Sequence, residues 1–169
     1  MAARAPSNAA LTAAARRLGR ELVRRGWQMA SAESCTGGML GHVITEAPRA
    51  SDHYLGGVVS YSNAVKEDLL DVPRETLESA GAVSAEVAEV MTAGVLDRFP
   101  AAEIAVAITG IAGPDGGSAD KPVGLAYVAV ALRNGSAVVE RHVWPHSRSG
   151  NKAASTLAAL DLAVRVAKG

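Results

Sequence analysis

Ile104-Ala105-Val106-Ala107-Ile108 is an unbroken apolar run of strand length in a chain of 169 residues. A strand with one face in water alternates apolar and polar side chains, so a continuous run predicts a central strand covered on both faces. Helical patterns flank it. Leu11, Ala15, Leu18 and Leu22 recur at helical spacing with arginines between them, which predicts a helix from about residue 9 to 25, ended by Gly26. A strand over 27–32 and a helix over 37–46, stopped near Pro48, come next. A second strand is expected at 57–61 and a short helix at 65–70. Val87, Met91 and Val95 mark a helix over 84–98 with Ser84 as its N-cap. After the central run, a strand at 125–132, an Asn134-Gly135 signal for a type I′ hairpin and an antiparallel return at 137–144 are predicted. Ala153, Leu157, Leu160, Val164 and Ala167 give a closing amphipathic helix. Helices interleaved with strands indicate a layered α/β domain with a mixed sheet.

The length fits one domain with a core that needs no staples. We expect a flexible tail over 1–8, a single domain over 9–169, and no linker or internal repeat. A hydrophobic content of 49%, a charged content of 20% and equal numbers of basic and acidic residues describe an ordinary globular protein. Nothing in them indicates nucleic acid or a membrane surface as a partner. The lone Cys35 excludes an intrachain disulfide framework and suits a reducing cytoplasm. No apolar run approaches the ~18 residues of a membrane span, and the first residues do not read as a signal peptide.

Three polar, glycine-bearing segments each follow an apolar run: Ala32–Gly38, Ser60–Lys66 and Thr109–Gly117. Loops at three strand ends suggest one composite site. Ser34 is the best nucleophile candidate, with a helix cap or turn residue as the alternative reading. No convincing Ser-His-Asp set accompanies it. Lys66 is the more attractive base, because a desolvated lysine can lose its proton near neutral pH; the alternative is a solvated lysine on a short helix. Tyr61 either packs at a strand end, holds Lys66 or stacks on a substrate ring. Cys35 is a competing nucleophile, but strand alternation should turn it away from Ser34. Thr36, Gly37 and Gly38 stand at a helix start, where free N–H groups suit an oxyanion or phosphate. Thr109, Gly110 and Gly113 form a second glycine loop expected to approach a ligand closely. The 113–123 segment reads as an active-site loop or flap. Arg148 is a candidate phosphate clamp, since its planar fork matches phosphate oxygens.

AESCTGG, YSNAVK, GAVSAEVA and TGIAGPDGGSADKPVG occur in this order. Together they resemble the C-terminal domain of the CinA family, the nicotinamide mononucleotide deamidases, over roughly residues 11–166. The resemblance implies a single-domain three-layer α/β/α fold with a mixed, mainly parallel sheet. It also implies hydrolysis of the nicotinamide carboxamide to nicotinate mononucleotide and ammonia, with no metal or other cofactor. A Ser–Lys arrangement then maps onto Ser34 and Lys66, with Tyr61 alongside; a nucleotide is the expected partner, and a homodimer the expected assembly. Family members typically carry Gly-Asp-Arg before the last helix and a basic residue four positions on. Here the stretch is His146-Ser147-Arg148, with Lys152 following. Two other functions fit the same residues: a catalytically silent nucleotide-binding module linked to competence or DNA damage, and a deamidase of a different small amide.

Overall fold

The apolar run is the middle strand of a five-stranded sheet. In the computed structural model, which describes residues 4–169, the strands are β1 (Met29–Glu33), β2 (Tyr54–Val59), β3 (Ile104–Gly110), β4 (Leu125–Leu132) and β5 (Val138–Val143). Their spatial order is β2-β1-β3-β4-β5. β1 lies parallel to both β2 and β3, while β4 is antiparallel to β3 and to β5. All strands but β4 therefore run the same way. The helices are α1 (Asn8–Arg25), α2 (Met39–Thr45), α3 (Asn63–Leu70), α4 (Arg74–Ser79), α5 (Ala85–Arg98) and α6 (Arg148–Lys168).

Side chains alternate in size across the central strands. Ile104, Val106, Ile108, Val128 and Val130 pack against α1, α2 and α6. Ala105, Ala107, Ala129 and Ala131 face the opposite way, against α5 and the α3–α4 region. Both faces are thus apolar, and the result is three layers. Strand β2 at the sheet edge alternates between exposed and half-buried residues, as a strand without full cover should.

Caps set the helix boundaries. Ser7, Ser62, Ser84 and Ser147 each accept a hydrogen bond from the first turn of α1, α3, α5 and α6, and Gly26 ends α1 in the left-handed region. Of the expected tail, residues 1–3 lie outside the described residues, Ser7 caps α1 and Asn8 opens it. The predicted type I′ turn at Asn134-Gly135 does not form: neither residue has the positive φ it requires. Instead Gly135 N–H closes a turn onto Leu132 O, and the connection runs on to Ala137 before β5 begins. The Arg133 side chain anchors its start by donating to the carbonyls of Ala102, Leu96 and Phe99. Among the described residues, no helix is long and apolar enough to cross a membrane.

Candidate active site

Parallel pairing of β1, β2 and β3 puts their carboxyl ends at one edge of the sheet, where open α/β sheets bind ligands. The three polar segments read from the sequence therefore converge. A cleft of about 290 Å³ forms there, lined by Ser34, Cys35, Tyr61, Lys66, Thr109, Gly110, Gly113 and Arg148 among others. Among the described residues, no group of three or more His, Cys, Asp or Glu could hold a metal ion.

Ser34 follows the last residue of β1, and its N–H donates to Ile108 O of β3 at 2.9 Å. Lys66 comes from α3, one turn beyond the Ser62 cap, and is only 1% exposed. Its Nζ lies 3.2 Å from Ser34 Oγ, 2.6 Å from Ser60 O and 3.4 Å from Tyr61 O. Burial, with no carboxylate among these partners, pulls the Lys66 pKa below its ordinary 10.5. Nζ donates to both carbonyls and to Ser34 Oγ; on losing a proton it would keep two N–H bonds for the carbonyls and turn a lone pair to the Ser34 hydroxyl.

Tyr61 reaches Lys66 through its main-chain oxygen and not its phenol. Its ring is 62% exposed at the cleft mouth. The phenol oxygen accepts from Arg148 Nη2 at 3.3 Å, and Arg148 Nη1 donates to Gly113 O at 2.7 Å. Arg148, the first residue of α6, thus ties the second loop to the third. Lys152 supplies a further cation: its Nζ lies 3.8 Å from where a Cβ on Gly37 would sit.

Cys35 also lines the cleft, contrary to the alternation argument. The reason is that β1 ends at Glu33, so strand alternation no longer governs residue 35. Its thiol is buried in the apolar cluster, and burial pushes it up to about 11. At neutral pH it is a thiol and not a thiolate, which weakens it as a nucleophile.

The helix-start donors differ from expectation. Gly37 N–H is taken by Ser34 O at 3.0 Å, and Gly38 N–H by Glu33 Oε2 at 3.1 Å. Gly37 and Gly38 have φ of 61° and 97°, the left-handed values that let the chain turn this tightly. Thr36 is fully buried, with its hydroxyl donating to Glu33 Oε2 at 2.6 Å. Among the described residues, the N–H groups of Cys35 and Thr36 are the ones left without an acceptor in this turn. Thr109 Oγ1 donates to Ala82 O at 2.7 Å, so toward the cleft it offers lone pairs and can accept. A Cβ on Gly110 would meet Leu125 O at 2.6 Å, so that glycine serves the close approach of β3 and β4.

Two further residues, given no chemistry from the sequence, shape the site. Glu33 binds the nucleophile turn. Buried Asn151 donates from Nδ2 to Ala112 O at 3.0 Å and accepts from His146 N–H at 3.0 Å, joining the start of α6 to the third loop. The signal for Asn151 was a polar residue on the buried stripe of α6.

A family model described as the CinA C-terminal domain matches residues 11–167. A CinA-like protein of Mycolicibacterium vanbaalenii is 49% identical over 144 residues, which are 85% of this chain and 34% of that one. Another, of Acaryochloris marina, is 48% identical over 145 residues, again 85% of this chain and 34% of its own. The chain thus spans about a third of the length of these curated relatives. Among solved structures, the competence/damage inducible protein CihA from Agrobacterium tumefaciens superposes with a TM-score of 0.91 at 37% identity, covering 99% of each chain.

Proposed function

This chain belongs to the CinA C-terminal domain family, and we propose that it is an amidohydrolase converting nicotinamide mononucleotide to nicotinate mononucleotide and ammonia. The observation that carries this reading is Lys66: a buried amine with a lowered pKa, 3.2 Å from a serine hydroxyl. A lysine so placed can take the serine proton that a solvated lysine could not.

In this mechanism Ser34 Oγ attacks the carboxamide carbon while its proton passes to Lys66 Nζ. The N–H of Cys35, which lines the cleft directly after Ser34, stabilises the oxyanion. Thr109 Oγ1 accepts from the carboxamide N–H₂, which suits an acceptor and not a donor. Collapse of the tetrahedral intermediate breaks the carbon–nitrogen bond, and the Lys66 ammonium returns its proton to the departing ammonia. Water, deprotonated by Lys66, then attacks the acyl-enzyme, releasing nicotinate mononucleotide and restoring Ser34. Tyr61 stacks on the pyridinium ring at the cleft mouth. The 5′-phosphate is held by the N–H groups of Arg148 that are not used in its bonds to Gly113 and Tyr61.

Ammonia release from nicotinamide mononucleotide, its nucleoside and free nicotinamide tests the reading. The nucleotide should turn over best. The nucleoside should lose about one to two decades in kcat/KM, equivalent to roughly 1.5–3 kcal/mol for a charge-assisted phosphate contact. Equal rates on nucleotide and nucleoside would point to another small amide as substrate. No ammonia from any of the three would leave a silent binding module.

A further inference from the structure

Glu33 is the last residue of β1, 2% exposed, and its carboxylate accepts four hydrogen bonds. Oε2 takes the Thr36 hydroxyl at 2.6 Å, Leu40 N–H at 3.0 Å and Gly38 N–H at 3.1 Å. Oε1 takes Gly41 N–H at 2.9 Å. Helix α2 has Gly38 at its N-cap position, so it has no cap side chain of its own. A residue that lies before the nucleophile in sequence supplies that cap from across the turn.

The bonds decide which donors stay free. Gly38, Leu40 and Gly41 are spent on Glu33, Met39 N–H on Thr36 O, and Gly37 N–H on Ser34 O. Among the described residues, the N–H groups of Cys35 and Thr36 remain in this turn, directly after Ser34; Cys35 lines the cleft, whereas Thr36 is fully buried. The same residue also reaches the base: Glu33 O accepts Ser60 N–H at 2.8 Å, and Ser60 O accepts Lys66 Nζ at 2.6 Å. Side chain and main chain of one residue thus fix both halves of the Ser34–Lys66 pair.

We propose that Glu33 is a positioning residue that locks the Ser34 turn with the Cys35 N–H at the cleft as an oxyanion donor. The proposal rests on the reading of Ser34 as nucleophile. A cap that served stability alone could be lost without changing the reactivity of the molecules that remain folded. A positioning group could not, because misdirected donors are lost from the transition state and not from substrate binding.

The test compares wild type with Glu33→Gln, which keeps the size but sets an amide N–H₂ against N–H donors. One readout is the rate at which Ser34 is phosphorylated by diisopropyl fluorophosphate, which forms an O–P bond and expels fluoride whatever the natural substrate. The others are kcat and KM on nicotinamide mononucleotide and the melting temperature. We expect labelling and kcat to fall together by roughly ten- to hundredfold, with KM within about twofold. A lower melting temperature with unchanged labelling and kcat would overturn the proposal and leave Glu33 a structural cap. Should Glu33→Gln fail to fold, Thr36→Val breaks the 2.6 Å bond to the same carboxylate, and the same split of kcat from KM is expected. A wild type that diisopropyl fluorophosphate does not label would refute the nucleophile itself. Labelling without turnover of nicotinamide mononucleotide would refute the substrate alone, and the labelling rates would still decide for or against Glu33.

Discussion

Lys66 and Cys35 both line the cleft beside Ser34, and burial makes one more reactive and the other less. Desolvation disfavours the charged form of each, so it lowers the lysine below 10.5 and raises the thiol to about 11. For Lys66 this yields a prediction about rate: kcat/KM should rise with pH through a value below 10.5, reporting loss of the ammonium proton. Lys66→Arg should not restore turnover, because a guanidinium stays protonated. A fully active Arg variant would reduce Lys66 to a source of charge. The stability consequence has the same sign. The folded chain binds fewer protons at Lys66 than the unfolded chain between the lowered pKa and 10.5, so in that window this residue makes stability rise with pH. Lys66→Met should remove that slope in unfolding measurements taken across the window. Ser34, Tyr61, Lys66 and Thr109 were legible as site candidates because each sits on a polar segment after an apolar run, and Arg148 because its phosphate-matching fork stands before the last helix. The occupancy of the Gly37 and Gly38 donors was not, since it depends on where the Glu33 side chain turns as β1 ends.

Elements with periodic apolar faces were readable, and those without were not. α1 and α5 were placed to within a residue of their ends because caps and stripes coincide there. α4 was missed: it spans 6 residues and buries one large side chain, Leu77, too little for a period to show. β2 begins at Tyr54, three positions before the predicted start, because an edge strand alternates and its first residues look like a loop. The hairpin signal at Asn134-Gly135 lost to tertiary contacts of Arg133 that no local pattern encodes. α6 begins at Arg148, before its apolar stripe, on the strength of the Ser147 cap. That start is tied to the third loop by Asn151. Asn151→Ala leaves the carbonyl of Ala112 and the N–H of His146 without these partners, which should cost roughly 1–3 kcal/mol. In a domain of this size that is a drop of about 2–12 °C in melting temperature, measurable by calorimetry. An unchanged melting temperature would show that α6 needs no such tether.

At the scale of the whole molecule, strand direction turns three separate segments into one site. β1, β2 and β3 are parallel, so the loops after them share an edge; β5, running the same way, delivers Arg148 there from the far side of the sheet. A layered domain with a mixed sheet was implied by the alternation of helix and strand and a mainly parallel order by the family resemblance, whereas the position of β1 between β2 and β3 follows from no local pattern. The central claim is that this edge holds a serine nucleophile. The most direct measurement is ammonia release from nicotinamide mononucleotide by wild type, Ser34→Ala and Cys35→Ala, each first shown to be folded. The account predicts that Ser34→Ala is inactive yet still binds the nucleotide, and that Cys35→Ala keeps most of the wild-type rate. An active Ser34→Ala protein beside a dead Cys35→Ala protein would contradict it and move the nucleophile one residue along the turn.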